Sequence, residues 1–269
     1  MSKTNIKKID IIVPCYNEGN NIDGFFGEVE KVVSDIEGYD FSYIFIDDGS
    51  TDDTLEKIKD LACGKKEIHY MSFSRNFGKE AAMYAGLKAA NDRRTDYAVI
   101  IDADLQHPPK LIKDMIRITE ETGCDSCAAR RVTRKGEPRI RSVFARAFYK
   151  IMNRYSDIEI IDGAVDFRLM NIKMVKAIVS MPENQRFSKG IFAWVGFHTE
   201  WIEFENVQRL SGESKWSVWS LTKYAIAGFI DFAASPLKAI GVFGGITTLG
   251  SAIYLIIEIL KTLIVGKDV

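Results

Sequence analysis

Three apolar runs in the first hundred residues end in acids or amides. IDIIVP (residues 9–14) runs into CYNE, YIFI (43–46) into DDGS, and YAVII (97–101) into DADLQ. A fourth run lies at 68–73. The segments between them, 21–37, 52–62 and 79–90, have helical character. Apolar strands that alternate with helices predict an α/β domain: a mostly parallel sheet with helices on both faces. In such a sheet the strand ends share one edge, and ligands bind in the crevice there. One acidic strand end is accounted for by a helix cap, and residues 49–52 offer such a turn and cap before the second helix. Three acidic ends on one edge predict a site that collects a cation or a hydroxyl-rich ligand.

The chain has neither GxGxxG nor GxxxxGK[ST]. A diphosphate at this edge therefore lacks a glycine cradle and needs neutralising in another way. Asp102, Asp104 and the amide of Gln106 offer hard oxygen ligands, suited to Mg²⁺ or Mn²⁺. On an extended chain, Asp102 and Asp104 are expected to point the same way and share one cation. Pro108 and Pro109 are expected to stop the strand and start the next helix, with His107 a turn residue.

The net charge is −1 over 269 residues, so no global field recruits nucleic acid. Residues 1–8 are polar, and no signal peptide is expected. Cys124 and Cys127 form a CxxC with no second metal-ligand pair, which reads as small residues at a strand start. Charge concentrates locally in residues 129–150, where many Arg and Lys face the single acid Glu137. Arginine donates to phosphate in pairs, so this segment is expected to meet an anionic ligand. Residues 239–257 are uncharged and long enough to cross a bilayer. Before them, Trp219, Tyr224, Phe229 and Phe232 suit a helix lying at a membrane surface. The expected division is a catalytic domain at 1–207, a loop and surface helix at 208–234, and a transmembrane helix at 235–263.

Seven motifs in order carry a resemblance: PCYNE (14–18), DDGSTDDT (47–54), SRNFGKEAA (74–82), DADLQHPP (102–109), DFRLM (166–170), RFSKGIFAWVGF (186–197) and SGESKW (211–216). Together they resemble the GT-A glycosyltransferases of family 2. The resemblance is to the polyprenyl-phosphate branch, which includes dolichyl-phosphate mannose synthase and the bactoprenol glucosyltransferases. It implies a GT-A (Rossmann-like) catalytic domain, followed by an interfacial amphipathic helix and a C-terminal transmembrane helix. Members of the bactoprenol type carry a second span, which this chain is expected to lack.

The implied activity is inverting transfer of a hexose from a UDP-sugar onto polyprenyl (undecaprenyl) phosphate. It takes place at the cytoplasmic face of the cell membrane and gives a β-linked lipid-phosphate sugar for cell-envelope glycans. By the resemblance, Pro14, Tyr16, Asn17, Glu18, Asp47 and Asp48 hold the nucleotide. Asp102, Asp104 and Gln106 hold the metal. Arg130, Arg131 and Arg141 meet the acceptor phosphate, and Arg209 and Lys215 close over the donor diphosphate. Asp166 is the remaining catalytic carboxylate, as base, as acceptor orienter, or as a structural partner of Arg168. A phosphate monoester is already mostly anionic at neutral pH, which weakens the need for a base. Other readings are a GDP-mannose-using synthase, a processive polysaccharide synthase (its QxxRW signature is absent) and a non-catalytic nucleotide-sugar-binding adaptor. Homo-oligomers are a family-level expectation.

Overall fold

The computed structural model describes residues 6–132, 150, 152–156, 158–183, 186–205 and 234–266. The elements in chain order are β1 (Lys7–Cys15), α1 (Ile22–Val33), β2 (Tyr39–Asp47), α2 (Thr54–Ala62), β3 (Ile68–Ser72), α3 (Lys79–Arg93), β4 (Tyr97–Ile100), α4 (Leu111–Thr122), β5 (Ser126–Arg131), β6 (Ala164–Asn171), α5 (Ile172–Val179), α6 (Ser188–Trp194), β7 (Thr199–Phe204) and α7 (Ala234–Val265). Seven strands form one sheet in the order β3-β2-β1-β4-β6-β5-β7. β6 alone runs against its neighbours.

Alternation along the strands builds two apolar layers. Ile11, Val13, Phe45 and Val99 face α1 and α4, meeting Phe25, Val29 and Met115. Ile12, Ile44, Ile46 and Ile100 face the other way, toward Ala82, Met83 and Leu87 of α3 and Met174 of α5. α1 buries Ile22, Phe25, Phe26, Val29 and Val33, the spacing of one helical face. Each such side chain contributes about 1.5–3 kcal/mol. α3 lies close on β1: a Cβ at Gly86 would stand 2.2 Å from Ile12 Cγ2.

The register fixes the functional edge. Cys15 of β1 pairs with Asp47 of β2, and Ile12 pairs with Ile100 of β4. The three acidic ends are therefore neighbours. β6 enters at the same edge from the opposite direction, with Ile100 paired to Arg168. Continuing that register by two residues sets Asp166 opposite Asp102.

The cysteines are free thiols, and Cys15, Cys124 and Cys127 are buried. Burial pushes the Cys127 thiol up to about 12, so the CxxC is inert packing. Residues 240–264 of α7 are long and apolar enough to cross a membrane, with mean hydropathy 1.9 and no burial against the domain. The proposed surface helix at 217–232 lies outside the described residues.

Candidate active site

The loops after β1 and β2 are stitched together. Asn17 turns the chain in the left-handed region (φ 51°). Its backbone N–H donates to Ser50 Oγ at 2.9 Å, and its Oδ1 accepts from Thr51 N at 2.8 Å. Glu18 N donates to Thr54 Oγ1 at 2.8 Å. Asp52 Oδ1 accepts from Thr54 N at 3.1 Å, which meets the expected need at the start of α2, although the cap position itself is Asp53. Thus Asn17 and Glu18 of PCYNE meet DDGSTDDT directly, while Tyr16 is half-buried.

Asp47 and Asp48 are both buried. Asp47 Oδ1 accepts from Ser50 N at 3.0 Å and Oδ2 from the Ser72 hydroxyl at 2.7 Å. Asp48 accepts from two consecutive backbone N–H groups, Phe77 at 2.7 Å and Gly78 at 2.9 Å. Burial raises the Asp48 pKa, and those two N–H donors partly oppose the shift. Between these loops Gly49 has φ 65°, and a Cβ there would lie 2.4 Å from the Arg75 carbonyl carbon. Only glycine fits that turn against the 75–78 loop.

The DAD motif departs from the expected extended chain. β4 ends at Ile100, and residues 103–105 form a turn in which Leu105 is left-handed (φ 55°). Asp104 Oδ1 accepts from Gln106 N at 3.1 Å, an Asx-type turn that fixes Asp104 and Gln106 together. The two acids of the motif therefore have different local partners, and the extended run expected through Asp104 is replaced by a turn. Pro108 and Pro109 do precede α4, but the strand stops well before them.

Asp102 turns toward Lys79, the first residue of α3. The ammonium lies 2.7 Å from Asp102 Oδ1 and 2.8 Å from Oδ2. The same ammonium lies 2.8 Å from Asp166 Oδ2. Burial disfavours the charge on Lys79, but the two carboxylates outweigh it and raise the pKa well above the ordinary value. Burial likewise disfavours charge on Asp166. Lys79, Lys189 and Arg168 overcome it and hold the carboxyl far below the usual range. Asp166 is thus an anion held by lysine. Its close ion pair is with Lys79, while the Arg168 guanidinium stacks 3.7 Å over the Phe192 ring. Asp166 Oδ1 is buried with no hydrogen-bond partner among the described residues.

His107 is more than a turn residue. Its ring is buried, stacks on Phe167 with centroids 5.6 Å apart and meets Phe204 edge-on. Nδ1 lies 3.9 Å from Asp102 Oδ2 and has no hydrogen-bond partner among the described residues. Burial lowers its pKa, with the Asp102 carboxylate opposing. The unfolded chain takes up this proton near pH 6.5 and the folded chain only at lower pH. The histidine therefore costs stability as pH falls from 7 to 5. His107→Phe keeps the ring contacts and is expected to flatten the pH dependence of the melting temperature over that window. An unchanged slope in melts of the two proteins would count against a neutral His107.

The arginines expected at the acceptor divide. Arg130 Nε donates to Asp162 O at 3.1 Å, and Nη1 lies 3.7 Å from Glu203, so its guanidinium braces the mouth of β5. Arg131 ends β5, and its N–H donates to Gly163 O at 2.8 Å. Arg141, Arg209 and Lys215 lie outside the described residues.

Lys79 was invisible as a site residue in the sequence. Its signal is its place in the SRNFGKEAA motif, as a cation directly after Gly78 at the head of α3. No cluster of three or more His, Cys, Asp or Glu side chains able to hold a metal occurs among the described residues. Asp102, Asp104 and Gln106 still fit a hard divalent cation as donors, because Mg²⁺ commonly takes one or two carboxylates and leaves the rest to phosphates and water. The unsatisfied Asp166 Oδ1 marks the same edge as one with acceptor capacity to spare.

Comparison with known proteins gives a consistent result. The family model described as "Glycosyl transferase family 2" matches residues 10–179. "Putative glycosyltransferase CsbB" of Bacillus subtilis (strain 168) is 42% identical over 97% of this chain and 78% of its own length. "Prophage bactoprenol glucosyl transferase homolog" of Escherichia coli (strain K12) is 36% identical over 97% of this chain and 84% of its own. "Bactoprenol glucosyl transferase" of Shigella phage SfV is 35% identical over 97% and 84%.

Among solved structures, mannosyl-3-phosphoglycerate synthase from Rubrobacter xylanophilus superposes with TM-score 0.55 at 16% identity, covering 88% of this chain and 75% of that one. S. aureus TarS 1-349 in complex with UDP-GlcNAc gives TM-score 0.53 at 16% identity, covering 84% and 67%. The mannosyltransferase PcManGT from Pyrobaculum calidifontis, solved with GDP-Man and Mn²⁺, gives 0.52 at 14% identity, covering 96% and 88%. The shared architecture is the GT-A fold expected from the motifs. With the family model running from β1 to the end of α5 and relatives 35–42% identical over 97% of its length, this chain belongs to glycosyl transferase family 2.

Proposed function

We propose that the chain is an inverting glycosyltransferase moving a hexose from a UDP-sugar onto polyprenyl phosphate at the cytoplasmic face of the cell membrane. The observation that supports this reading most is the pairing of Asp102 and Asp166 on one ammonium at the acidic sheet edge. Donor-side and acceptor-side carboxylates then meet at one point. The names of the relatives at 35–36% identity supply the lipid carrier.

In the reaction, an acceptor phosphate oxygen forms a bond to C1 of the sugar as the bond from C1 to the nucleoside diphosphate breaks. The configuration at C1 inverts and UDP leaves. Asp102, Asp104 and Gln106 are the residues that would hold a Mg²⁺ or Mn²⁺ ion, which when bound would neutralise charge on the leaving diphosphate. Pro14, Tyr16, Asn17, Glu18, Asp47 and Asp48 frame the nucleotide side. Asp166, kept anionic by Lys79, orients the incoming acceptor. It has little deprotonating to do, since the second phosphate pKa is about 6. Arg130, Arg131 and Arg141 supply positive charge at the acceptor side, and Arg209 and Lys215 at the diphosphate. α7 anchors the chain at the bilayer. The test is full-length protein in detergent with polyprenyl phosphate, Mg²⁺ and a panel of UDP- and GDP-sugars, read by the mass of the lipid product. A hexose adduct from a UDP-sugar is expected. Free sugar without a lipid adduct, or a mannose adduct from GDP-mannose alone, would replace this reading.

A further inference from the structure

Four consecutive residues, 77–80, connect Asp48, Asp102, Asp166 and the head of α6. Phe77 and Gly78 donate to Asp48. Lys79 pairs with Asp102 and Asp166. Glu80 accepts from the backbone N–H of Ser188 at 3.0 Å and from its hydroxyl, which ties the head of α3 to the head of α6. Lys79 is thus held from both sides in sequence, and its ammonium occupies a defined place. That place is on both oxygens of Asp102, the residue otherwise assigned to the metal.

We propose that Lys79 is a built-in counter-cation that competes with the divalent metal for Asp102, handing that carboxylate over when the metal binds. The inference rests on the metal role proposed above for Asp102. Two cations held at contact distance on one carboxylate repel each other strongly in a half-buried site. A metal that takes an Asp102 oxygen must therefore draw it from the ammonium. The lysine stem is long and flexible, and a second carboxylate is already within 2.8 Å of its Nζ. Asp166 Oδ1 is buried with no hydrogen-bond partner among the described residues, so Asp166 has acceptor capacity for the displaced charge. In the metal-free protein the lysine cancels the repulsion between Asp102 and Asp166 and keeps the edge assembled. With metal bound, it becomes the dedicated partner of Asp166. The donor side and the acceptor side are coupled through one side chain.

The experiment measures Mn²⁺ binding to the full chain without sugar or acceptor, by electron paramagnetic resonance, for the wild type, Lys79→Met and Lys79→Arg. Lys79→Met removes the competitor and is expected to bind Mn²⁺ about tenfold more tightly. Its metal-free form should melt lower than wild type, and Mn²⁺ should restore more of its stability. Lys79→Arg, which can fork onto Asp102, is expected to recover the metal-free stability and bind Mn²⁺ no better than wild type. Folded Lys79→Met with wild-type or weaker Mn²⁺ affinity overturns the proposal.

A second measurement needs no variant. Acylation of the Lys79 amine in wild-type protein, quantified by mass spectrometry, is expected to rise several-fold on adding Mg²⁺. Unchanged or reduced labelling overturns the proposal as well. Asp102→Asn and Asp104→Asn separate the two levels. If neither weakens Mn²⁺ binding, the metal assignment fails. If both do and Lys79→Met does not tighten it, only the competition fails.

Discussion

Asp104→Asn is expected to lower turnover by about a thousandfold while leaving the fold intact. The contrast comes from what each atom of Asp104 does. Oδ1 accepts from Gln106 N at 3.1 Å and so shapes the turn that follows β4. Asparagine presents the same acceptor at the same place and is itself at home in such turns. The turn, and the left-handed Leu105 within it, therefore survives. What disappears is a full negative charge at the position proposed to hold the metal on the leaving diphosphate. Lipid-linked sugar measured by mass gives the activity, and a thermal melt gives the fold. Activity within tenfold of wild type would remove Asp104 from the metal site, and a large drop in melting temperature would contradict the account of the turn. Asp102→Asn is a different experiment, because it also removes half of the Lys79 ion pair.

Much of the scaffold was legible because it is written locally. Strand and helix periods placed β1 to β4 and α1 to α3 to within a few residues. Their polar ends predicted a shared edge, and the register delivers it. Three features were not legible, two of them because they depend on partners far apart in sequence. Lys79 meets Asp102 across 23 residues and Asp166 across 87. Only the antiparallel entry of β6 beside β4 brings the latter pair together. His107 looked like a turn residue because its burial is supplied by Phe167 on β6 and Phe204 on β7. The DAD geometry was misjudged because nothing local announces that Leu105 takes positive φ. A leucine there is sterically unfavoured, and the surrounding fold has to impose it. The doublet Asp47-Asp48 shows a third kind of limit. Residue type alone equally fits ribose binding and loop support, and the structure shows both carboxylates engaged in the latter.

That engagement makes Asp48→Asn the change with the largest expected structural effect. Asp48 is 2% exposed and accepts from the N–H groups of Phe77 and Gly78, one on each oxygen. Asparagine offers one acceptor oxygen and turns an NH₂ toward the other N–H. One charge-assisted hydrogen bond is lost, and a buried donor is left facing a donor. Charge-assisted bonds contribute about 1.5–3 kcal/mol and an unsatisfied buried group costs about 1–3 kcal/mol. Burial already raises the Asp48 pKa, so part of the charge's benefit is spent on desolvation. About 3 kcal/mol in total is therefore the expected loss, roughly 6–12 °C in melting temperature for a domain of this size. The damage should also propagate. Gly78 is the residue before Lys79, so releasing the 75–78 loop loosens the ammonium from Asp102 and Asp166. Amide hydrogen exchange should therefore quicken at residues 77–80 before it does in β1 or β2, and activity should fall together with stability. If Asp48→Asn melts like wild type and residues 77–80 keep their protection, the loop is held by contacts other than Asp48. The buried carboxylate would then be free for the nucleotide role that its sequence position also allows.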